Sequence, residues 1–417
     1  MTDARTGTFA ALVTFPNYRR YVAGQTISLA GTWMHSVALG WLVLQLTGSG
    51  TRLGLVTAAQ FVPVLAFGAS GGVIVDRFDT RRLLLVTQGV SAVLAGTLGL
   101  LVVTHEVHLW MVYAIAIGFG IATVVDNPAR QTFVNELVAP AHIANAVMLN
   151  TVNINAGRII GPAFAALVID HLGIGACFLL NGASFLAIML ALVLIEPARL
   201  FPPPVRHREK GQLRAGFAYV RRTPELLVPL VMMTVIGTLT YEFQVNLPLL
   251  ARFSFHGDAG TYSLFTGSMG VGAVVGGLLM AGRDRRGTSV IVQQAALFGV
   301  AVVLAAAAPR QWMVVGALLF VGAFSVTFIA RANATMQLQS DPAMRGRVMA
   351  LWTVAFLGTT PVGGPIIGAI SEHTSPRWGL LTQGVAALAA AAFGATWLLR
   401  RRRRDQRGEA AVEAPAS

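Results

Sequence analysis

The stretch Gly72-Val73-Ile74-Val75-Asp76-Arg77-Phe78-Asp79-Thr80-Arg81-Arg82 decides how the rest of the chain is read. An apolar run closes on small residues, and a carboxylate and a knot of arginines follow at once. A hairpin that gathers charge directly after an apolar run sits where hydrocarbon gives way to water. Arginine in so short a loop between two apolar blocks assigns it to the cytoplasmic side of a membrane. Any short cytoplasmic loop collects arginine, so this much fixes topology alone.

Composition agrees. The 417 residues are 55% hydrophobic and 12% charged, whereas a water-soluble chain carries about twice that charge. The apolar material comes in blocks of about twenty residues, the length that crosses ~30 Å of hydrocarbon. A net charge of +13 elsewhere suggests nucleic acid. Here the arginines stand between the apolar blocks and at the ends, so topology explains them. The single cysteine, Cys177, lies in an apolar block, which excludes an intramolecular disulfide and a cysteine metal cluster. The first residues are polar and the first apolar block is too long for a signal peptide's apolar core, so no cleavable signal is expected.

Working outward, a polar lead covers 1–19. Apolar spans follow near 20–46, 53–75, 83–103, 109–133, 143–169 and 173–195. After a polar, Pro- and Arg-rich segment come spans near 226–250, 260–282, 288–308, 312–338, 346–371 and 377–399. With the N-terminus inside, the inner segments hold Arg5, Arg19 and Arg20, then Arg77, Arg81 and Arg82, Arg130, Arg199 through Arg222, Arg283, Arg285 and Arg286, Arg345 and Arg347, and the tail. The outer loops hold only Arg52, Arg252, Arg310 and Arg377. That asymmetry predicts both termini in the cytoplasm. The expected organisation is a six-helix bundle over 1–195, a cytoplasmic linker over 196–224, a second bundle over 225–399 and a basic tail over 400–417. Pro202-Pro203-Pro204 cannot continue a helix. Gln212 to Arg222 can form an amphipathic helix lying on headgroups, and the Arg400–Arg404 run an anchor to anionic lipid.

The two halves echo each other. Gly157-Arg-Ile-Ile-Gly161-Pro162 in the fifth span matches Gly364-Pro365-Ile-Ile-Gly368 in the eleventh, and Gly276-Gly277 mirrors Gly71-Gly72. Duplicated six-helix halves are a transporter plan. Glycines four apart let a neighbouring helix come close, so Gly157, Gly161, Pro162, Gly364 and Pro365 are read as packing positions.

Several of these motifs carry a family resemblance. The Gly72–Arg82 loop resembles the loop between helices 2 and 3 of the major facilitator superfamily, Gly-x-x-x-Asp-Arg-x-Gly-Arg-Arg/Lys, with Asp79-Thr80 in place of the Gly-Arg pair. With Asp126-Asn-Pro-Ala-Arg130 through Glu136, Asn145 to Asn150, and Arg345-Gly-Arg-Val-Met349, it is similar to the enterobactin-exporter-like branch, which includes siderophore, macrolide and multidrug exporters. Gly157-x-x-x-Gly161-Pro162 also resembles the helix-5 signature of proton antiporters, with Ala165-Ala166 replacing its final glycines. The resemblance implies an all-α membrane protein of twelve transmembrane helices in two pseudo-symmetric six-helix bundles. It implies a monomer in the inner (plasma) membrane that exports a small amphipathic molecule in exchange for protons, by alternating access. Import of a metabolite and a non-transporting sensor are the alternatives.

The resemblance also says where to search, since helices 1, 4, 7 and 10 line the cavity in that superfamily. They carry His35, Asp126, Glu242 and Arg331, and helix 5 adds Arg158. An ionisable group in a bilayer costs roughly 2.5–3.5 kcal/mol on insertion scales, so each needs a reason. A carboxyl held in oil is costly as an anion and cheap as an acid, which suits a proton carrier. Glu242 is therefore the expected carrier, with Asp126, His35 and Arg158 as companions; a static Glu242–Arg158 bridge is the other reading, and Arg158 could also attract an anionic cargo. By resemblance, Asp76 and Arg77 join Asp126 and Arg130 in a charge cluster at the inner gate, with Gly72, Arg81 and Arg82 shaping its loop. Gln25, Trp33, Gln60, Phe61, Tyr241, Phe243, Phe324 and Asn333 are cavity candidates. No phosphate-binding glycine loop is present, and His105, His108 and His171 make no ligand set. Neither enzyme activity, a cofactor, a metal nor nucleic-acid binding is expected.

Overall fold

The computed structural model describes residues 7–201, 212–280, 287–341, 344–357 and 359–412. Pro202–Pro204, Arg5, Arg283, Arg285 and Arg286 lie outside them, as do the side chains of Leu213 and Arg214.

Twelve helices are long and apolar enough to cross a membrane. They are α1 (Pro16–Thr47), α2 (Gly50–Val75), α3 (Thr80–Val103), α4 (Leu109–Glu136), α5 (Ile143–Leu172) and α6 (Ile174–Val193), then α7 (Pro224–Ser254), α8 (Ala259–Met280), α9 (Thr288–Ala307), α10 (Gln311–Gln339), α11 (Arg345–His373) and α12 (Pro376–Val412). No strand is found among the described residues. Large apolar side chains such as Val86, Val93, Leu186 and Leu304 stand exposed. In water that would be an aggregation surface; against lipid it is the solvent-facing one.

The helix ends follow local chemistry. Ser49 caps α2 by accepting from the Arg52 amide at 3.2 Å, and Asp79 caps α3 by accepting from the Arg82 amide at 2.8 Å. Asp258, ahead of α8, accepts from the Thr261 amide at 2.8 Å, which holds its carboxyl below the usual carboxylate range. Gly48 ends α1 at φ 63°, a left-handed conformation that glycine adopts without strain.

Packing repeats across the two halves. α2 lies on α4 as α8 lies on α10, α3 on α6 as α9 on α12, and α1 on α5 as α7 on α11. The sequence echo is visible at atomic contact: Gly71 lies against Val124 of α4, and Gly276 against Ala323 of α10. Between the halves, α2 meets α11 and α5 meets α8.

Three boundaries differ from the expected spans. α7 is interrupted after Leu239. The Tyr241 amide bonds to Ile236 O, five residues back, and Glu242 opens a new segment, Phe243–Leu249, which ends in a π-helical turn at Leu250–Ser254. α11 is likewise made of two pieces, Arg345–Leu357 and Thr360–His373. α12 runs on to Val412 instead of ending at 399, because arginine is a good helix former and no proline interrupts the stretch. The expected amphipathic helix Gln212–Arg222 is present. It docks on the protein: Val220 is fully buried and Gly216 rests on Arg347.

Candidate functional site

The glycine motif of α5 seats α1. A methyl at Gly157 would meet Trp33 at 3.3 Å, and one at Gly161 would meet Ala30 O at 2.8 Å and Met34 N at 2.9 Å. With the two backbones this close, the Arg158 guanidinium lies 5.1 Å from the centre of the Trp33 ring, a cation–π distance. Arg158 and Trp33 are both half-buried. Tyr241 of α7 is within electrostatic reach of Arg158 from the other half. Its hydroxyl donates to Ser325 O of α10 at 3.0 Å, and its ring packs on Phe298 and Phe356. On the α5–α8 seam, a methyl at Gly270 would come 3.0 Å from Arg158 O.

Glu242 sits elsewhere, at the meeting of α2, α7 and α11. It is 2% exposed and its Oε1 has no hydrogen-bond partner. Thr360 stands within hydrogen-bonding reach. A methyl at Gly363 would come 2.8 Å from Oε1; one at Gly364 would come 3.4 Å from Oε2 and 3.0 Å from Gly54 O. Gly364 thus touches the carboxyl on one side and the opposite half of the protein on the other. No ion pair to Glu242 or to Arg158 is found among the described residues, so the static Glu242–Arg158 bridge is not made.

The seam above Glu242 runs to the face opposite the termini. Gly54 packs on Gly364 and Pro365, and Gly50 on Gly368. Beyond them, Glu372 Oε2 of α11 accepts from Ser49 Oγ at 2.7 Å and from the Thr51 amide at 2.8 Å. A carboxylate from one half therefore caps a helix N-terminus of the other, where the helix dipole favours negative charge. Sequence reading missed this clasp. Ser49 shows its cap signature in the sequence; its partner, more than three hundred positions away, does not.

Asp126 and Arg130 do come together, one turn apart on α4, but inside the first half. Asp126 Oδ1 accepts from Thr87 Oγ1 at 2.7 Å and Gln88 Nε2 at 2.6 Å, while Arg130 donates to Asp126 and to Gln25 Oε1. The network ties α1, α3 and α4 together. Asp76 and Arg77 are exposed at the end of α2, and Arg82 is exposed on α3. Gly72 is buried near the end of α2. Arg81 donates to Leu192 O at 2.7 Å and Val193 O at 2.8 Å, closing the end of α6. Of the expected cluster, Asp126 and Arg130 are thus brought together as a half-buried pair, and Asp76 and Arg77 are exposed at the end of α2.

Because Arg130 and Asp126 are largely enclosed, removing either leaves a charge without its partner. Arg130→Ala should destabilise the protein by about 3 kcal/mol. Thermal unfolding in detergent checks this: the midpoint should fall clearly, and Asp126→Asn added to Arg130→Ala should recover part of the loss.

The remaining candidates scatter. His35 is 6% exposed, edge-on to Phe119 at 5.0 Å and Phe178 at 4.8 Å, with Nδ1 unpartnered. It lies among α1, α4 and α6, away from the α2–α11 seam. Gln25 is 3% exposed and held by Arg130, and Phe243 is 4% exposed against Phe298, so both are interior side chains in this structure. Phe324 stacks on exposed Phe320, and Asn333 accepts from Gln337 at 2.6 Å. Gln60 and Phe61 are half-buried on α2.

Comparison with known proteins places this geometry. A family model described as "Transmembrane secretion effector" matches residues 6–416. The enterobactin exporter EntS of Citrobacter koseri is 24% identical over 88% of each chain. Macrolide efflux protein A of Streptococcus pyogenes is 24% identical over 82% of this chain and 86% of its own. Among solved structures, a bacterial homolog of the human lysosomal transporter Spinster, inward-facing and unoccupied, superposes with a TM-score of 0.70 at 14% identity, covering 91% of this chain and 96% of that one.

Proposed function

Because the chain belongs to the transmembrane secretion effector family, a branch of the major facilitator superfamily of transporters, we propose that it exports a small amphipathic molecule in exchange for protons. The observation that carries this reading is Glu242: a carboxyl with one oxygen unpartnered and no cation among the described residues paired to it, placed where α7 of one half meets the glycine seam with the other. A group so placed changes its surroundings whenever the halves part, which is what coupling to alternating access requires. The enterobactin and macrolide exporters among the relatives support export over uptake, and a siderophore, a macrolide or another drug as cargo.

In this reading the two bundles, 1–195 and 225–399, rock about the linker 196–224, and a single copy suffices. The arginine-rich loops support cytoplasmic termini, and in that orientation the α2–α11 seam and its Glu372 clasp close the extracellular side. The loop carrying Asp76, Arg77, Arg81 and Arg82 works at the cytoplasmic mouth, and the Asp126–Arg130 network keeps the first bundle rigid while it moves.

Efflux of a fluorescent siderophore conjugate from cells with and without the protein tests the reading. Export should be faster with the protein, and collapse of the proton gradient should erase the difference. Faster uptake, or export indifferent to the gradient, would overturn it.

A further inference from the structure

We infer that Arg158, Trp33 and Tyr241 form the cargo site's receptor for an anionic group borne on a flat apolar body, such as an aromatic carboxylate or phenolate.

The anomaly is Arg158. It stands mid-way along a membrane helix, where a cation costs roughly 2.5–3.5 kcal/mol. Its contact with Trp33 returns about 1–2 kcal/mol. No carboxylate among the described residues supplies the rest: Glu242 faces Gly363 and Gly364, Asp126 is held by Arg130, and Glu372 caps α2. The charge is therefore kept without a carboxylate partner among the described residues, beside Trp33 of α1 and Gly270 of α8 and within electrostatic reach of Tyr241 of α7.

The surroundings say what it receives. Trp33 covers one face of the guanidinium, and a planar guanidinium presents its N–H groups in a fork that matches a carboxylate. The indole lies over the guanidinium as a flat apolar surface, and Tyr241 of the opposite half stands within electrostatic reach of the same charge. Tyr241 is braced by its bond to Ser325 O and by Phe298 and Phe356, and Trp33 by the glycines of α5. The two aromatic residues come from opposite halves, so a ligand that engages both senses their relative position. A cationic body would meet repulsion from Arg158, and a neutral one would leave its charge uncompensated.

This inference builds on the transport reading for its setting, yet its test needs no transport. Purified protein in lipid nanodiscs is dialysed against three probes sharing one ring system: 1-naphthoate, 1-naphthalenemethanol and 1-naphthylmethylammonium. Wild type should hold naphthoate at least about tenfold more tightly than the alcohol, and the ammonium least of all. Arg158→Gln, which removes a charge from the membrane and so threatens folding little, should erase the preference. Arg158→Lys should restore part of it. Equal binding of naphthoate and alcohol by wild type, no binding of any probe, or an intact preference in Arg158→Gln overturns the proposal. A protein that binds naphthoate through Arg158 but imports its cargo would sink the export reading and leave this one standing.

Discussion

Glu242→Gln should abolish proton-driven flux and leave the protein folded. The amide has the carboxyl's shape, so the contacts with Gly363, Gly364 and Thr360 survive. What it lacks is a proton to exchange. In proteoliposomes with an imposed pH gradient, the variant should carry cargo no faster than wild type does without a gradient. Exchange of labelled for unlabelled cargo, which moves no net protons, should persist. The unpaired Oε1 and the 2% exposure make this the larger of the two expected losses: a carboxyl left there without a function would be a net cost to folding. Full gradient-driven flux in Glu242→Gln would remove the carrier from the mechanism.

Gly54→Leu should reduce transport to near background, by holding the α2–α11 seam apart. A side chain at Gly54 runs into the Gly364 carbonyl and comes within 2.8 Å of Pro365 Cα. Those are backbone atoms, which cannot rotate aside as a side-chain tip can, so the helices must separate. Ala58, 6% exposed and one turn along α2 from Gly54, reports on the separation. With Cys177 replaced by serine, a cysteine at Ala58 should react with a membrane-impermeant maleimide far faster in the Gly54→Leu protein than in its parent. Gly96→Leu is the control, since Gly96 has open space around it; it should transport and label as the parent does. Wild-type transport by Gly54→Leu would show that the seam need not close.

Much of this was legible in the sequence, and the limits have physical causes. The twelve spans, the two halves and the linker helix follow from length, arginine placement and amphipathicity, because a bilayer forces long apolar helices and sorts charge by side. The glycine motifs announced close packing, and α1 on α5 and α2 on α11 are its outcome. Helix phase was not legible. A span apolar on every side has no stripe to show which face meets a neighbour, so His35 read as a companion of Glu242 yet lies in an aromatic pocket of the first half. For the same reason Gln25 and Phe243 read as lining and proved interior. The break in α7 beside Glu242 carried no signal, since the proline that follows, Pro248, lies beyond it. Pairings such as Glu372 with Ser49 depend on which helices the fold makes neighbours, and composition is silent on that.

In the proposed orientation that pairing is the polar latch of the extracellular door, added to the glycine packing of the seam. A borrowed helix cap contributes about 1 kcal/mol, little more than the thermal energy at room temperature. A bolt so light cannot keep the door shut against a tightly bound passenger. It need only bias an empty carrier toward rest, leaving the work of unlocking to whatever arrives inside.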